Sequence, residues 1–184
     1  EIFCMSIKGN IYWITGLSGA GKTSIGKLFF EKIKQEEPNT IFLDGDELRL
    51  IFNDEPSFSM ESRLTLSYLY SKLCNLLANQ NLNVVIATIS MFEEIRAWNK
   101  KNIINYNEVY IKVPMNVLIK RDKKRLYSKA IKGETNNVIG IDIQFHEPMN
   151  PDLICFNDGS KSIQKIAEEI FLFFKKTNKV TRVS

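Results

Sequence analysis

The chain has 184 residues, 44% hydrophobic and 25% charged, with a net charge of +4 and a pI of about 8.9. That length supports one sizeable core and is short for two, the composition excludes a disordered chain, and no apolar run approaches the ~18 residues of a membrane span. The modest positive charge, with no basic stripe interleaved with aromatics, suits anionic small molecules rather than nucleic acid; three scattered cysteines and one histidine leave no zinc-binding spacing and point to reduced thiols in a cytoplasmic protein, as does a start without the pattern of a secretory signal.

In chain order, Ile11–Thr15 is an apolar, β-branched and aromatic run, the pattern of a strand buried on both faces. It feeds Gly16-Leu17-Ser18-Gly19-Ala20-Gly21-Lys22-Thr23, which fits the P-loop spacing of glycine, four residues, then Gly-Lys-Ser/Thr. Lys22–Gln35 follows, with Ile25, Leu28, Phe29 and Ile33 at helical spacing. Strand, glycine loop and helix together let backbone N–H groups and a positive helix end cradle phosphates. Gly16, Ser18, Gly19, Ala20, Gly21 and Ser24 are therefore candidates to bind a nucleotide, Lys22 to reach its β- and γ-phosphates, and Thr23 to ligate Mg²⁺.

Thr40–Leu43 is the second expected strand, and Asp46–Phe52 a helix. Between them lies Leu43-Asp44-Gly45-Asp46-Glu47-Leu48-Arg49. Loops after parallel strands lie at the carboxyl edge, where ligands bind, so Asp44 and Asp46 should face the phosphates. A carboxylate there accepts the proton of an attacking hydroxyl or helps to hold Mg²⁺; the plain alternative for Asp46 is a helix cap. Arg49 is placed to clamp a phosphate bidentately.

Helices are then expected at Met60–Asn79, Phe92–Asn105 and Met115–Arg121, and strands at Asn83–Thr88 and Glu108–Val113. Residues 122–148 break the pattern: they are polar, basic and too long for a plain loop, and beside a phosphate site they read as a lid. A short strand Leu153–Cys155 and an amphipathic helix Ser160–Lys175 close the fold, with residues 177–184 expected to be a frayed tail. Alternating strands and helices imply an α/β three-layer P-loop NTPase sandwich: one domain over residues 1–184, with a mostly parallel five-stranded sheet, helices on both faces and a lid.

These motifs, in this order, resemble adenylylsulfate (APS) kinase. Beyond the P-loop and Leu43-Asp44-Gly45-Asp46-x-x-Arg49, the resemblance runs through Phe58-Ser59-x-x-x-Arg63, Thr88-Ile89-Ser90, Arg121-Asp122-x-Lys124-x-Leu126-Tyr127-x-Lys129-Ala130, Gly140-Ile141-Asp142 and Glu147-Pro148-x-Asn150-Pro151-Asp152-Leu153. It implies a Mg·ATP-dependent kinase that phosphorylates the ribose 3′-hydroxyl of a small nucleotide, and relatives that are commonly homodimers. By the same resemblance Asp46 is the base and Lys22 serves the phosphates. Arg49 and Arg63 hold the acceptor's phosphate end, Phe58 stacks on its base, and Asp44, Ile89, Ser90, Lys129, Val138 and Ile139 complete its pocket. Arg121, at the lid, serves ATP.

The chain departs from that family where the acceptor is expected. Val138 stands in place of a base-stacking Phe, and Leu66 and Tyr68-Leu69 replace polar and basic residues. Ser90-Met91-Phe92-Glu93 replaces a segment ending in a cation. The P-loop and the Asp46 segment are unchanged. The family it resembles includes members that phosphorylate cytidine diphosphoramidate for capsule biosynthesis, and one aromatic platform beside an aliphatic wall fits a smaller pyrimidine at least as well as adenine, so the resemblance implies that acceptor; the alternative is adenylylsulfate itself. A GTPase is disfavoured because Asn99-Lys100-Lys101-Asn102 lacks the aspartate of a guanine motif, and a non-catalytic binder because Lys22, Thr23 and Asp46 are all present.

Overall fold

The computed structural model describes residues 8–52, 59–122 and 125–181. Five strands, β1 (Ile11–Thr15), β2 (Thr40–Asp44), β3 (Asn83–Ala87), β4 (Tyr106–Lys112) and β5 (Leu153–Phe156), form one sheet in the order β2-β3-β1-β4-β5. Every pairing is parallel, so each connection must cross over, and the helices do so. They are α1 (Lys22–Glu36), α2 (Gly45–Phe52), α3 (Met60–Ala78), α4 (Glu93–Asn102), α5 (Met115–Arg121), α6 (Leu126–Ile131) and α7 (Ile163–Thr181).

The central strand explains the layering. All five β1 residues are buried, and alternation sends Tyr12 and Trp13 to opposite faces. Tyr12 meets Phe29 of α1 edge-on at 5.1 Å and Phe174 of α7 at 5.0 Å. Trp13 faces the other side, with Tyr106 at 6.3 Å, where α4 covers the sheet. Gly26 lets α1 lie close on the sheet: a Cβ there would come within 3.1 Å of Phe42 and 3.3 Å of Ile14.

The lid stretch contains more order than its composition predicts. Helix α6 forms inside it because both Asp122 carboxylate oxygens accept from its first turn, from Tyr127 N at 3.0 Å and Ser128 N at 2.9 Å. The cap stands several residues ahead of the helix, across a basic run, so no local capping pattern marks it. Helix α7 is continuous to Thr181, past the expected end at Lys175, and Lys175 pairs with Glu36 at the far end of α1. Helix α4 stops at Asn102, earlier than expected, where Ile103 turns extended and buries its side chain. No helix among the described residues is long and apolar enough to cross a membrane. Cys74 and Cys155 are buried free thiols; Cys4 lies outside the described residues.

Candidate active site

The donor side is built by the turn from β1 into α1. Gly21 opens α1 at φ 90°, a left-handed backbone that favours glycine, and a Cβ there would sit 2.7 Å from the Asn157 amide. Lys22 Nζ donates to Leu17 O at 2.9 Å, so the amine lies along its own loop. The Thr23 hydroxyl donates to Asp44 Oδ2 at 2.7 Å, and the other oxygen of Asp44 accepts from Asp46 N at 2.8 Å. Asp44 is buried, and it locks the start of α1 to the start of α2. Thr23 and Ser24 remain exposed on the first turn of α1, as does Gly19 in the loop. Arg121, the last residue of α5, is half-buried, with a guanidinium nitrogen 3.9 Å from the Cβ position of Gly159 in the loop after β5. That places it at the carboxyl edge, beside the segment that touches the P-loop.

On the opposite side, Asp46 is exposed on the first turn of α2 and Arg49 lies one turn further on. Arg63 projects from α3, and its Nη2 donates to Asn137 O at 2.8 Å. Burial first, then the like charge of Arg49, holds the Arg63 guanidinium below its usual value, while Asp142 and Asp46 oppose that shift. Four charges from α2, α3 and the lid therefore converge. The Tyr70 hydroxyl donates to Gly45 O at 3.1 Å and braces α3 against the start of α2; burial pushes its phenol up. The Asp142 carboxylate accepts from the backbone N–H groups of Asn137 and Val138, closing the loop that Arg63 grips. Lys129 is exposed on α6.

With this geometry in view, the comparisons with known proteins decide the family. The profile described as adenylylsulphate kinase matches residues 8–156. The chain belongs to the adenylylsulphate kinase family. Cytidine diphosphoramidate kinase of Campylobacter jejuni is 41% identical over 172 residues, covering 92% of this chain and 98% of that protein. Adenylyl-sulfate kinase of Rippkaea orientalis is 35% identical over 169 residues, covering 90% and 93%. Among solved structures, the Mycobacterium tuberculosis APS kinase CysC in complex with AMPPNP and APS superposes with a TM-score of 0.82 at 34% identity, over 91% of this chain and 98% of that one. This member is accordingly a P-loop phosphotransferase with an alcohol group as acceptor.

Several residues expected to line the acceptor pocket are buried. Val138 and Ile139 are only 2% and 5% exposed, because the Asp142-capped turn folds them inward against the core. The Ser90 hydroxyl is also buried. Ser67 donates to Arg63 O at 2.8 Å, so Ser90 must donate to Ser67 at 2.8 Å and Thr88 to Ser90 at 2.9 Å, which leaves the Ser90 proton committed. Ile89 is half-buried, and its carbonyl accepts from the Thr15 hydroxyl.

Several of the departures from the family pattern are packing residues. Leu66, Met91 and Phe92 are buried, and Tyr68 stands edge-on to Trp98 at 6.3 Å. Glu93 pairs with Arg96 at 2.6 Å, one turn along α4. Helical phase, which a linear motif does not display, buries Leu66 on α3, while Glu93 stays exposed at the start of α4. Phe58 lies outside the described residues. Conversely, no sequence pattern singles out Asn157, whose amide donates to Ala20 O at 2.9 Å, nor marks Tyr127, inside the lid motif, as a partner of the P-loop through Ser18 O at 2.7 Å.

Proposed function

We propose that this chain transfers the γ-phosphoryl group of ATP to the ribose 3′-hydroxyl of cytidine diphosphoramidate, a step of capsular phosphoramidate synthesis. The observation that carries this reading is the 41% identity to the Campylobacter jejuni enzyme across nearly the full length of both chains.

The 3′-oxygen attacks the γ-phosphorus, the bond to the β,γ-bridging oxygen breaks, ADP leaves, and the hydroxyl proton passes to the Asp46 carboxylate. Asp46 is exposed on the first turn of α2, close to the pair that joins Thr23 to Asp44. Lys22 neutralises the β- and γ-phosphates after leaving Leu17 O, and Arg49 and Arg63 hold the acceptor's diphosphate end. The Thr23 hydroxyl and the Asp44 carboxylate, 2.7 Å apart, are hard oxygen donors on adjoining elements and fit Mg²⁺. When bound there, the ion supplies charge neutralisation at the transferring phosphates. Arg121 and Lys129 complete the cationic shell from the lid side. Positioning and charge neutralisation carry most of phosphoryl transfer, so such a shell suits the chemistry.

Adenylylsulfate is the second reading, favoured by the neighbour of known structure whose complex holds APS. A side-by-side assay with both acceptors, with the phosphorylated position located by NMR, tests the proposal. Efficient 3′-phosphorylation of the cytidine nucleotide with little turnover of adenylylsulfate is expected; the reverse preference overturns it.

A further inference from the structure

The carbonyls of the P-loop are held from outside the loop. Tyr127 of the lid helix α6, 109 residues away in sequence, donates its hydroxyl to Ser18 O at 2.7 Å. Asn157, just past β5, donates its amide to Ala20 O at 2.9 Å from 137 residues away. Both side chains are buried, and burial pushes the Tyr127 phenol up to about 12, so it remains a donor across the working range of pH.

A trans peptide is planar, so its C=O and the following N–H point in opposite directions. No peptide bond among the described residues is cis. Drawing Ser18 O towards Tyr127 therefore aims Gly19 N–H the other way, and drawing Ala20 O towards Asn157 does the same for Gly21 N–H. The intervening Ala20 N–H is already used on Leu17 O at 3.1 Å. Gly19 and Gly21 have φ of 76° and 90°, the left-handed turns from which an anion-binding nest is made.

We infer that Tyr127 and Asn157 are positioning residues that preset the phosphate cradle by clamping two of its peptides, one from the lid and one from the loop after β5. The inference rests on the P-loop's use of ATP and not on the identity of the acceptor. A positioned N–H facing a phosphate needs no reorientation when the nucleotide arrives, which is how preorganisation raises affinity. Because one clamp belongs to α6, seating the lid helix and shaping the cradle are coupled.

Tyr127→Phe removes only the hydroxyl, and Asn157→Ser shortens the second donor. Each is expected to weaken Mg·AMPPNP, measured by calorimetry, by about fivefold, the size of one lost hydrogen bond, and to raise the KM for ATP in step while the KM of whichever acceptor is used stays unchanged. Amide NMR gives the readout that a merely structural role would not move. On adding inorganic triphosphate, the Gly19 amide response should shrink in Tyr127→Phe with that of Gly21 kept, and the opposite should hold in Asn157→Ser. Unchanged AMPPNP affinity, equal losses for ATP and acceptor, or identical amide responses in both variants overturn the inference. A variant with a lower melting temperature but wild-type AMPPNP affinity also overturns it. Failure of the cytidine nucleotide as acceptor leaves these donor-side readouts intact and counts only against the proposed function.

Discussion

The two halves of the site are built on different principles. The donor half is one continuous stretch, Gly16–Thr23, whose shape follows from glycine stereochemistry and whose supports reach in from elsewhere. The proposed acceptor half has no such stretch: Asp46 and Arg49 come from α2, Arg63 from α3, and Asn137 and Asp142 from the lid. The difference teaches that one half can be read from a continuous motif, whereas the other needs side chains on separate helices to meet, which a linear motif does not display.

The sharpest way to separate the halves is through their chemistry. Asp46→Ala is expected to lower kcat by about 10²–10⁴-fold in a coupled kinase assay, the range for loss of a general base, while AMPPNP still binds. Lys22→Ala should instead lose both nucleotide affinity and turnover. Arg63→Ala comes next. Loss of a charge-assisted contact to phosphate, worth roughly 1.5–3 kcal/mol, should raise the acceptor KM about 10–100-fold with the KM for ATP little changed. A rise in both KM values would show that Arg63 acts on the whole lid through Asn137 O rather than on the acceptor half alone.

A smaller effect lies outside both halves. Glu108 of β4 is fully buried with Arg96 at 3.8 Å and Lys100 at 3.6 Å, and among the described residues neither of its carboxylate oxygens has a hydrogen-bond partner within normal range. Desolvation outweighs those two cations, with Asp152 adding to it, and lifts the carboxyl from 4.5 to about 7. The folded state therefore binds its proton more tightly than the unfolded chain. That contribution to stability is fully present below about 4.5 and is lost as the pH rises through about 7, with a slope of up to ~1.4 kcal/mol per pH unit for one proton. Urea unfolding across that window should show the decline, and Glu108→Gln should flatten it.

The smallest expected effect concerns Val138. With its side chain in the core, Val138→Phe should cost about 1–3 kcal/mol by overpacking, read by urea unfolding. A Phe variant as stable as the wild type that gained turnover of adenylylsulfate would return Val138 to the acceptor half.

Much of the fold was legible because its signals are periodic and local. All five strands fall where apolar runs predict them, and Gly16–Thr23 sits between β1 and α1 as its spacing requires. Helix α6 escaped because its cap, Asp122, acts across intervening residues. That Val138, Ile139 and Ser90, expected in the acceptor pocket, are buried was hidden for a related reason: a family motif records which residues recur, not how far each one is exposed. Val138 and Ile139 follow the turn capped by Asp142, and Ser90 is fixed by hydroxyls from α3 and from the end of β3.

What the sequence by itself determined was the donor chemistry and the order of the layers. Both follow from properties that travel with the chain: the torsional freedom of glycine, the spacing of Lys22 and Thr23 after it, and the periods of the buried runs. Only the tertiary structure decided which side chains are spent in the core and that Tyr127 and Asn157 reach the P-loop. Those outcomes depend on contacts made across more than a hundred residues, and nothing in the local pattern at either end carries them.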